Sequence, residues 1–217
     1  RCLMKLFILG ATGRTGKELI KQATERGYEI VAYVRSPQKL VPQDNLKIIQ
    51  GNLNETSKME HALASCDAVL VTLGNPVNDS SANLFEGLMP NLITSLHHTN
   101  VSRIISLSSL GNGDTIKNVS YPYKLGVKTF LKGNQADHEK GEQHLIHSNL
   151  NWTLIYPGPL FNGDKTSHPL VKNAASEYKM PGAPRTNRAD VAAVMLDQLN
   201  NKSSYKQKLI MCSKQED

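Results

Sequence analysis

Short apolar runs alternate with amphipathic stretches along most of the chain. Residues 3–9 form a nearly continuous apolar run, the pattern of a strand buried on both faces of a parallel sheet. A glycine-rich turn follows, and residues 17–26 then show helical spacing up to Gly27, a good helix-terminating residue. Residues 29–34, 46–50, 68–73, 104–107, 151–156 and 208–212 predict further strands. Between them, helices are expected over 55–65, 135–147 and 190–199, the last capped by Asp190. Leu84, Phe85, Leu88, Met89, Leu92, Ile93 and Leu96 mark another helix, either kinked at Pro90 or starting nearer Gly87.

This repeated βαβ order predicts an α/β fold, a doubly wound parallel sheet with helices on both faces. No linker, repeat or low-complexity tract divides the 217 residues, so a single domain over 1–217 is expected. Residues 158–188 break the alternation and are rich in Gly, Pro and Asn, a small irregular excursion on the substrate side.

Composition narrows the function classes. The 25 Lys+Arg and 19 Asp+Glu give a formal charge of +6, which favours anionic ligands. The basic residues are scattered without aromatic interleaving, so nucleic acid is not an expected partner. No apolar run reaches the roughly 18–20 residues of a membrane span, and the opening run reads as a strand rather than a signal peptide. Arg1 in place of an initiator methionine leaves the true N-terminus open. The three cysteines Cys2, Cys66 and Cys212 have no CxxC spacing, which fits a reducing cytoplasm and no disulfide or zinc framework. His97-His98 ends a helix without a carboxylate set around it, so no metal site is expected.

Gly10-Ala11-Thr12-Gly13-Arg14-Thr15-Gly16 lies directly between the first strand and the first helix. In G-x-x-G-x-x-G the first glycine permits the tight turn, the second lets backbone approach a pyrophosphate, and the third lets helix pack on strand. Phosphates would then lie at the helix N-terminus, where free N–H groups and the macrodipole favour anions. The second strand ends in Tyr33-Val34-Arg35-Ser36, without the acid that binds the ribose 2′-hydroxyl of NAD. Arg35 is instead placed to hold a 2′-phosphate, with Arg14 closing from the other side. Each charge-assisted bond is worth about 1.5–3 kcal/mol, so two favour NADPH by on the order of a hundredfold.

On these residues the chain resembles the atypical short-chain dehydrogenase/reductase superfamily, in its NAD(P)H-binding, biliverdin reductase B/flavin reductase-like branch. The likeness extends through Gly51-Asn52-Leu53, Asp67-Ala68-Val69, Thr72-Leu73-Gly74, Ile104-Ile105-Ser106-Leu107-Ser108-Ser109, Asp137-His138, Trp152-Thr153, Tyr156-Pro157-Gly158-Pro159 and Arg188-Ala189-Asp190-Val191. It implies a Rossmann fold with Leu53 near the adenine and the Leu73-Gly74 backbone beside the ribose and pyrophosphate. It also implies that Ser108 and Ser109 face the nicotinamide, with Pro157, Gly158, Pro159 and Leu160 holding its carboxamide side. The Gly-Asp usual at the third-strand exit is Gly51-Asn52 here, an amide in place of a carboxylate.

The superfamily's Tyr-x-x-x-Lys pair is missing, since no tyrosine is followed by lysine four residues on. Asn134 and His138 stand at those positions of the helix marked by Glu142 and Leu145. An acceptor that takes hydride into a conjugated ring, such as a flavin, a quinone or a bilin-like tetrapyrrole, needs less proton assistance. The candidate catalytic groups are Ser109, as hydrogen-bond donor, and Tyr123 and His138, as proton relay. Tyr121 and Tyr123 flank Pro122 in an expected loop, over the cofactor or on the surface. Arg188 is expected to tie the excursion to the cofactor-side loop through a carboxylate or carbonyl, or to be purely structural. The expectation is an NADPH-dependent reductase, monomer or homodimer, acting on a small molecule. The alternative is a non-catalytic NADP(H) sensor of NmrA-like type.

Overall fold

Runs that are apolar on both faces need cover on both sides, and the chain supplies it with helices that follow the strands Lys5–Leu9, Leu46–Gln50, Ala68–Val71, Arg103–Leu107 and Thr186–Asn187. The computed structural model describes residues 3–73, 84–130 and 134–214. Among these the first half runs β1 (Lys5–Leu9), α1 (Arg14–Glu25), β2 (Glu29–Val34), β3 (Leu46–Gln50), α2 (Thr56–Leu63), β4 (Ala68–Val71), α3 (Leu84–His97) and β5 (Arg103–Leu107). The second half runs α4 (Tyr123–Phe130), α5 (Asn134–Ile146), β6 (Asn151–Pro157), β7 (Leu160–Phe161), β8 (Leu170–Asn173), β9 (Thr186–Asn187), α6 (Arg188–Asp197) and β10 (Gln207–Cys212).

The large sheet has the order β3-β2-β1-β4-β5-β6-β10-β8. Its strands are parallel except β8, which pairs antiparallel with β10. Leu9 lies opposite both Tyr33 and Val71, and Val71 lies opposite Ser106, so these carboxyl ends finish in one line. Strand order reverses between β1 and β4, and the crevice beyond that point is where such sheets bind ligands.

Alternate residues of each strand feed opposite faces of the core. Phe7, Val69, Ile104 and Leu154 pack under α2, α3 and α5, while Leu6, Leu70, Ile105 and Ile155 pack under α1 and α6. Gln22 of α1 donates to the Ala189 carbonyl of α6 at 2.8 Å, which fixes those two helices side by side. Asp137 of α5 caps α3 by accepting from the N–H groups of Phe85 and Glu86 at 2.8 and 2.9 Å. Gly141 of α5 lies so near Phe85 that a Cβ there would meet its ring at 2.3 Å, so a residue without a side chain lets the helices touch.

The structure departs from the periodicity at several points. The first helix starts at Arg14 rather than 17, because the glycine turn leads into it without a spacer. The helix of Leu84–His97 runs through Pro90, whose missing N–H removes one ladder bond while the remaining helix packs on α5. Tyr123 is not in a loop but opens α4. Asp190 is not the N-cap of α6; Asn187 holds that place, without a side-chain capping bond. Asp190 lies inside the first turn, fully buried, and accepts from Thr166 N and Oγ1, both at 2.8 Å, and from Ser213 Oγ. The irregular excursion is therefore pinned to α6 and to the end of β10. It also contains strand structure, the β7–β9 ladder and β8.

Candidate functional site

The glycine turn is shaped by contacts that leave no room for side chains. Gly10 has φ +84°, and a Cβ on it would stand 2.6 Å from Thr72 Oγ1 and 2.8 Å from Leu73 N. Thr72 Oγ1 donates to the Leu9 and Gly10 carbonyls at 3.1 Å, which ties the turn to the exit of β4. Gly13 faces open space, with nothing nearer than the Gly10 oxygen at 3.4 Å. That opening is what a phosphate needs in order to approach main-chain N–H groups at a helix start.

Beside the turn lies a cavity of about 150 Å³ bounded by Gly10, Thr12, Arg35, Lys39, Leu53 and Leu73. Apolar Leu53 and Leu73 are suited to the flat faces of an adenine, and the cations of Arg35 and Lys39 to a phosphate. The residues present thus fit a phosphorylated dinucleotide. Tyr33 forms the floor, its phenol donating to the Asn52 carbonyl at 2.9 Å. Burial, and then the Glu55 carboxylate, raise the Tyr33 phenol above its ordinary range. Asn52 contributes through its main chain, its N–H donating to Glu55 at 2.5 Å while its side chain is exposed.

One expected phosphate ligand lies outside this cavity. Arg14 does not line the cavity; its charge faces Arg188, whose guanidinium is held below its usual range by burial and by Arg14. Lys39, three residues after Ser36 on a 3₁₀ turn, stands where Arg14 was expected. Thr15 and Gly16 are buried in the first turn of α1 and shape it from beneath. Arg188 donates to the Asn162 side chain at 2.9 Å, a bond within the excursion rather than one to the cofactor-side loop. Gly74 falls outside the described residues.

Further along the carboxyl edge a second cavity, of about 340 Å³, lies between the ends of β5 and β6 and helix α4. Its walls are mostly apolar, Val127, Pro157, Gly158 and Leu160 among them, and Ser109 and Tyr123 bring the hydroxyls. Gly158 has no room for a side chain, since a Cβ would meet the Pro184 carbonyl oxygen at 1.8 Å. The Tyr123 phenol donates to the Leu110 carbonyl at 3.1 Å, and burial raises it above its ordinary range. It is therefore a weak acid here.

Ser108 and His138 belong to a buried layer next to this cavity. Ser108 accepts from Asn112 Nδ2 at 3.2 Å, and the same nitrogen donates to Glu142 Oε1 at 3.3 Å. The other oxygen of Glu142 accepts from the Tyr156 phenol at 2.9 Å. Burial and the Glu142 carboxylate push that phenol far up, with the Ser108 hydroxyl pulling the other way. His138 Nδ1 lies 3.8 Å from Glu142 Oε1, and its ring stacks on Phe85 at 4.1 Å between centroids. The structure thus brings Ser109 and Tyr123 together at the cavity and places His138 on the buried carboxylate. Lys39 and Asn112 carried no sequence signal of a role, Tyr156 figured only in the family likeness, and Glu142 served only to mark its helix.

His98 has a carboxylate partner after all, Glu60 at 2.9 Å, because α2 packs beside α3. Among the described residues no cluster of three or more His, Cys, Asp or Glu is placed to hold a metal ion. No helix among them is long and apolar enough to cross a membrane.

Comparison with known proteins shows the family of the chain. The profile of a family described as NAD(P)H-binding matches residues 10–202. The oxidoreductase ordB of Dothistroma septosporum is 27% identical over 93% of this chain and 79% of its own length. Among solved structures, a short-chain dehydrogenase/reductase of Veillonella parvula in complex with NADP superposes with a TM-score of 0.80 at 17% identity, covering 97% of this chain and 94% of that one. ChuY of Escherichia coli O157:H7, described as an anaerobilin reductase, superposes with a TM-score of 0.78 at 20% identity over 99% of each chain. At these identities the two superpositions show a shared fold.

Proposed function

The chain belongs to the NAD(P)H-binding family, and from that membership we propose that it is an NADPH-dependent reductase passing hydride to a planar, conjugated acceptor. The observation that carries this reading is the mostly apolar cavity at the ends of β5 and β6, whose side-chain hydroxyls are those of Ser109 and Tyr123. A flat apolar ring fits such walls, whereas a carbonyl needing protonation meets no strong acid there.

When bound, NADPH supplies the hydride. Arg35 and Lys39 hold the 2′-phosphate, the open face of Gly13 admits the pyrophosphate, and Leu53 packs beside the adenine. Pro157 and Gly158 form the wall of the nicotinamide side. Ser109 donates a hydrogen bond to the acceptor as charge develops on it, and the apolar walls exclude water. Tyr123 spends its proton on the Leu110 carbonyl and serves as wall rather than acid. His138, on the Glu142 carboxylate next to the cavity and outside its lining, is the group assigned as proton relay to the acceptor side. The Dothistroma relative, named an oxidoreductase, and the Escherichia coli protein described as an anaerobilin reductase support a reductase over a sensor.

The test is NADPH oxidation at saturating cofactor against a flavin, a quinone, a linear tetrapyrrole and a simple ketone. Turnover with one or more of the conjugated acceptors, and none with the ketone, is expected. Tight NADPH binding without turnover of any acceptor would replace the reductase by an NADP(H) sensor.

A further inference from the structure

Glu142 is a carboxylate with 2% of its surface exposed, beside the acceptor cavity and outside its lining. An ionised carboxylate accepts hydrogen bonds and donates none. Its Oε1 therefore decides which end of the Asn112 amide faces it, namely the nitrogen, at 3.3 Å. The second hydrogen of that nitrogen points to Ser108 Oγ at 3.2 Å. Ser108 is thereby made an acceptor towards Asn112. The Tyr156 O–H donates to Glu142 Oε2 at 2.9 Å. The Asn112 amide and the Tyr156 phenol are thus both oriented by Glu142, the one member that cannot donate.

Asn112 also holds the main chain of this turn. Its N–H donates to the Ser109 carbonyl at 3.0 Å, and its own carbonyl accepts from Thr115 Oγ1 at 2.6 Å. Whatever fixes the Asn112 side chain therefore fixes the segment that delivers Ser109 to the cavity. The Asn112 Oδ1 atom is buried without a hydrogen-bond partner among the described residues, so the amide gains nothing from this orientation except the bonds to Ser108 and Glu142. Remove the charge, and the amide is free to turn over.

We propose that Glu142 is the positioning residue of the acceptor side: through Asn112 it sets the direction of the hydrogen bond at Ser108 and the placement of Ser109. Glu142→Gln keeps the volume and ends the acceptor-only character of the group, because a Gln amide facing this pair must offer a donor to Asn112 or to Tyr156.

Two measurements test this, and only the first rests on the reductase reading. In single turnover at saturating NADPH, Glu142→Gln is expected to slow hydride transfer about tenfold or more with NADPH affinity unchanged. The same substitution made on Ser109→Ala is expected to change the rate less than about twofold, because its effect runs through Ser109. Losses that multiply in the double variant would overturn the proposal. The second measurement is amide hydrogen exchange on the protein without added acceptor. The Asn112 amide should exchange about tenfold faster in Glu142→Gln, while the Ser108 amide, bonded to the Ile155 carbonyl at 2.7 Å, keeps its rate. Unchanged exchange at Asn112 would also overturn it. If the wild type reduces no acceptor, the reductase reading fails and the exchange measurement alone decides the role of Glu142.

Discussion

Gly16 passes directly over the carbonyl of Gly10: a Cβ at Gly16 would stand 2.1 Å from that oxygen and 2.7 Å from Ala11 Cα. The contact is between main-chain atoms, so nothing can rotate aside to relieve it. Gly16→Ala must push α1 away from β1 and spread the cofactor turn. Overpacking of this kind destabilises by about 1–3 kcal/mol. For a chain of this length that lowers Tm by roughly 5 °C. We expect that shift in a thermal melt, together with at least a tenfold weaker NADPH affinity in a fluorescence titration. An unchanged melt and affinity would mean that the helix does not approach the strand this closely.

Arg35 and Lys39 line the same cavity from the end of β2 and the turn beyond it. Arg35→Asp replaces a cation with an acid suited to a ribose 2′-hydroxyl and repels a 2′-phosphate. Preference for NADPH over NADH should fall by about a hundredfold or more, leaving no discrimination, and Lys39→Ala should lose on the order of tenfold. The ratio of the two dissociation constants reports both. Selectivity that survives Arg35→Asp would remove Arg35 from the site.

Asp190, fully buried, accepts from Thr166 N, Thr166 Oγ1 and Ser213 Oγ, and so fastens the excursion after β6 to the late helix. Asp190→Ala strands three donors at once. A stability loss of about 3 kcal/mol or more is expected in urea unfolding, against about 1 kcal/mol for Asp190→Asn, which retains an acceptor for the Thr166 amide. Equal losses in the two variants would show that the side-chain volume matters rather than the bonds.

Burial pushes the Cys66 thiol up from 9.0 to about 11, with Asp67 adding to the rise and Ser65, Lys5 and Lys47 opposing it. The unfolded chain therefore releases this proton near pH 9 and the native protein only near pH 11. Between those values the native state binds more protons, so stability falls as pH rises through the window, by about 2–3 kcal/mol. Cys212 is raised by burial as well and acts with the same sign. Urea midpoints on either side of the window should drop more for the wild type than for Cys66→Ala. Parallel drops would place the alkaline sensitivity elsewhere.

The apolar runs made the parallel strands legible in the sequence, because burial on both faces leaves no polar position to confuse the period. The glycine turn was legible for a similar reason: Gly10 and Gly16 answer steric demands that no other residue meets. What the sequence concealed depends on contacts between distant segments. Asp190 looks like a cap because of its place before an apolar stretch, and only the fold brings Thr166 and Ser213 onto it. Glu142 looks like any helical acid, and only the packing of α5 over β6 turns it towards Tyr156 and Asn112. Lys39 lies in a polar segment where any lysine passes for a solvated one. Tyr123 had the residue types of a loop around Pro122 and became helical through tertiary contact, its N–H bonded to the Gly182 carbonyl at 3.1 Å.

The order of the large sheet leaves β3 at one margin and β8 at the other. Both are short, of five and four residues, and each carries an exposed lysine, Lys47 in one and Lys172 in the other. Unpaired strand margins invite copies of a chain to zip together into extended ribbons, and a charge set into a short margin discourages it. The large sheet thus opens its ligand crevice at the carboxyl ends of its strands while a lysine guards each of its two margins against fibre growth.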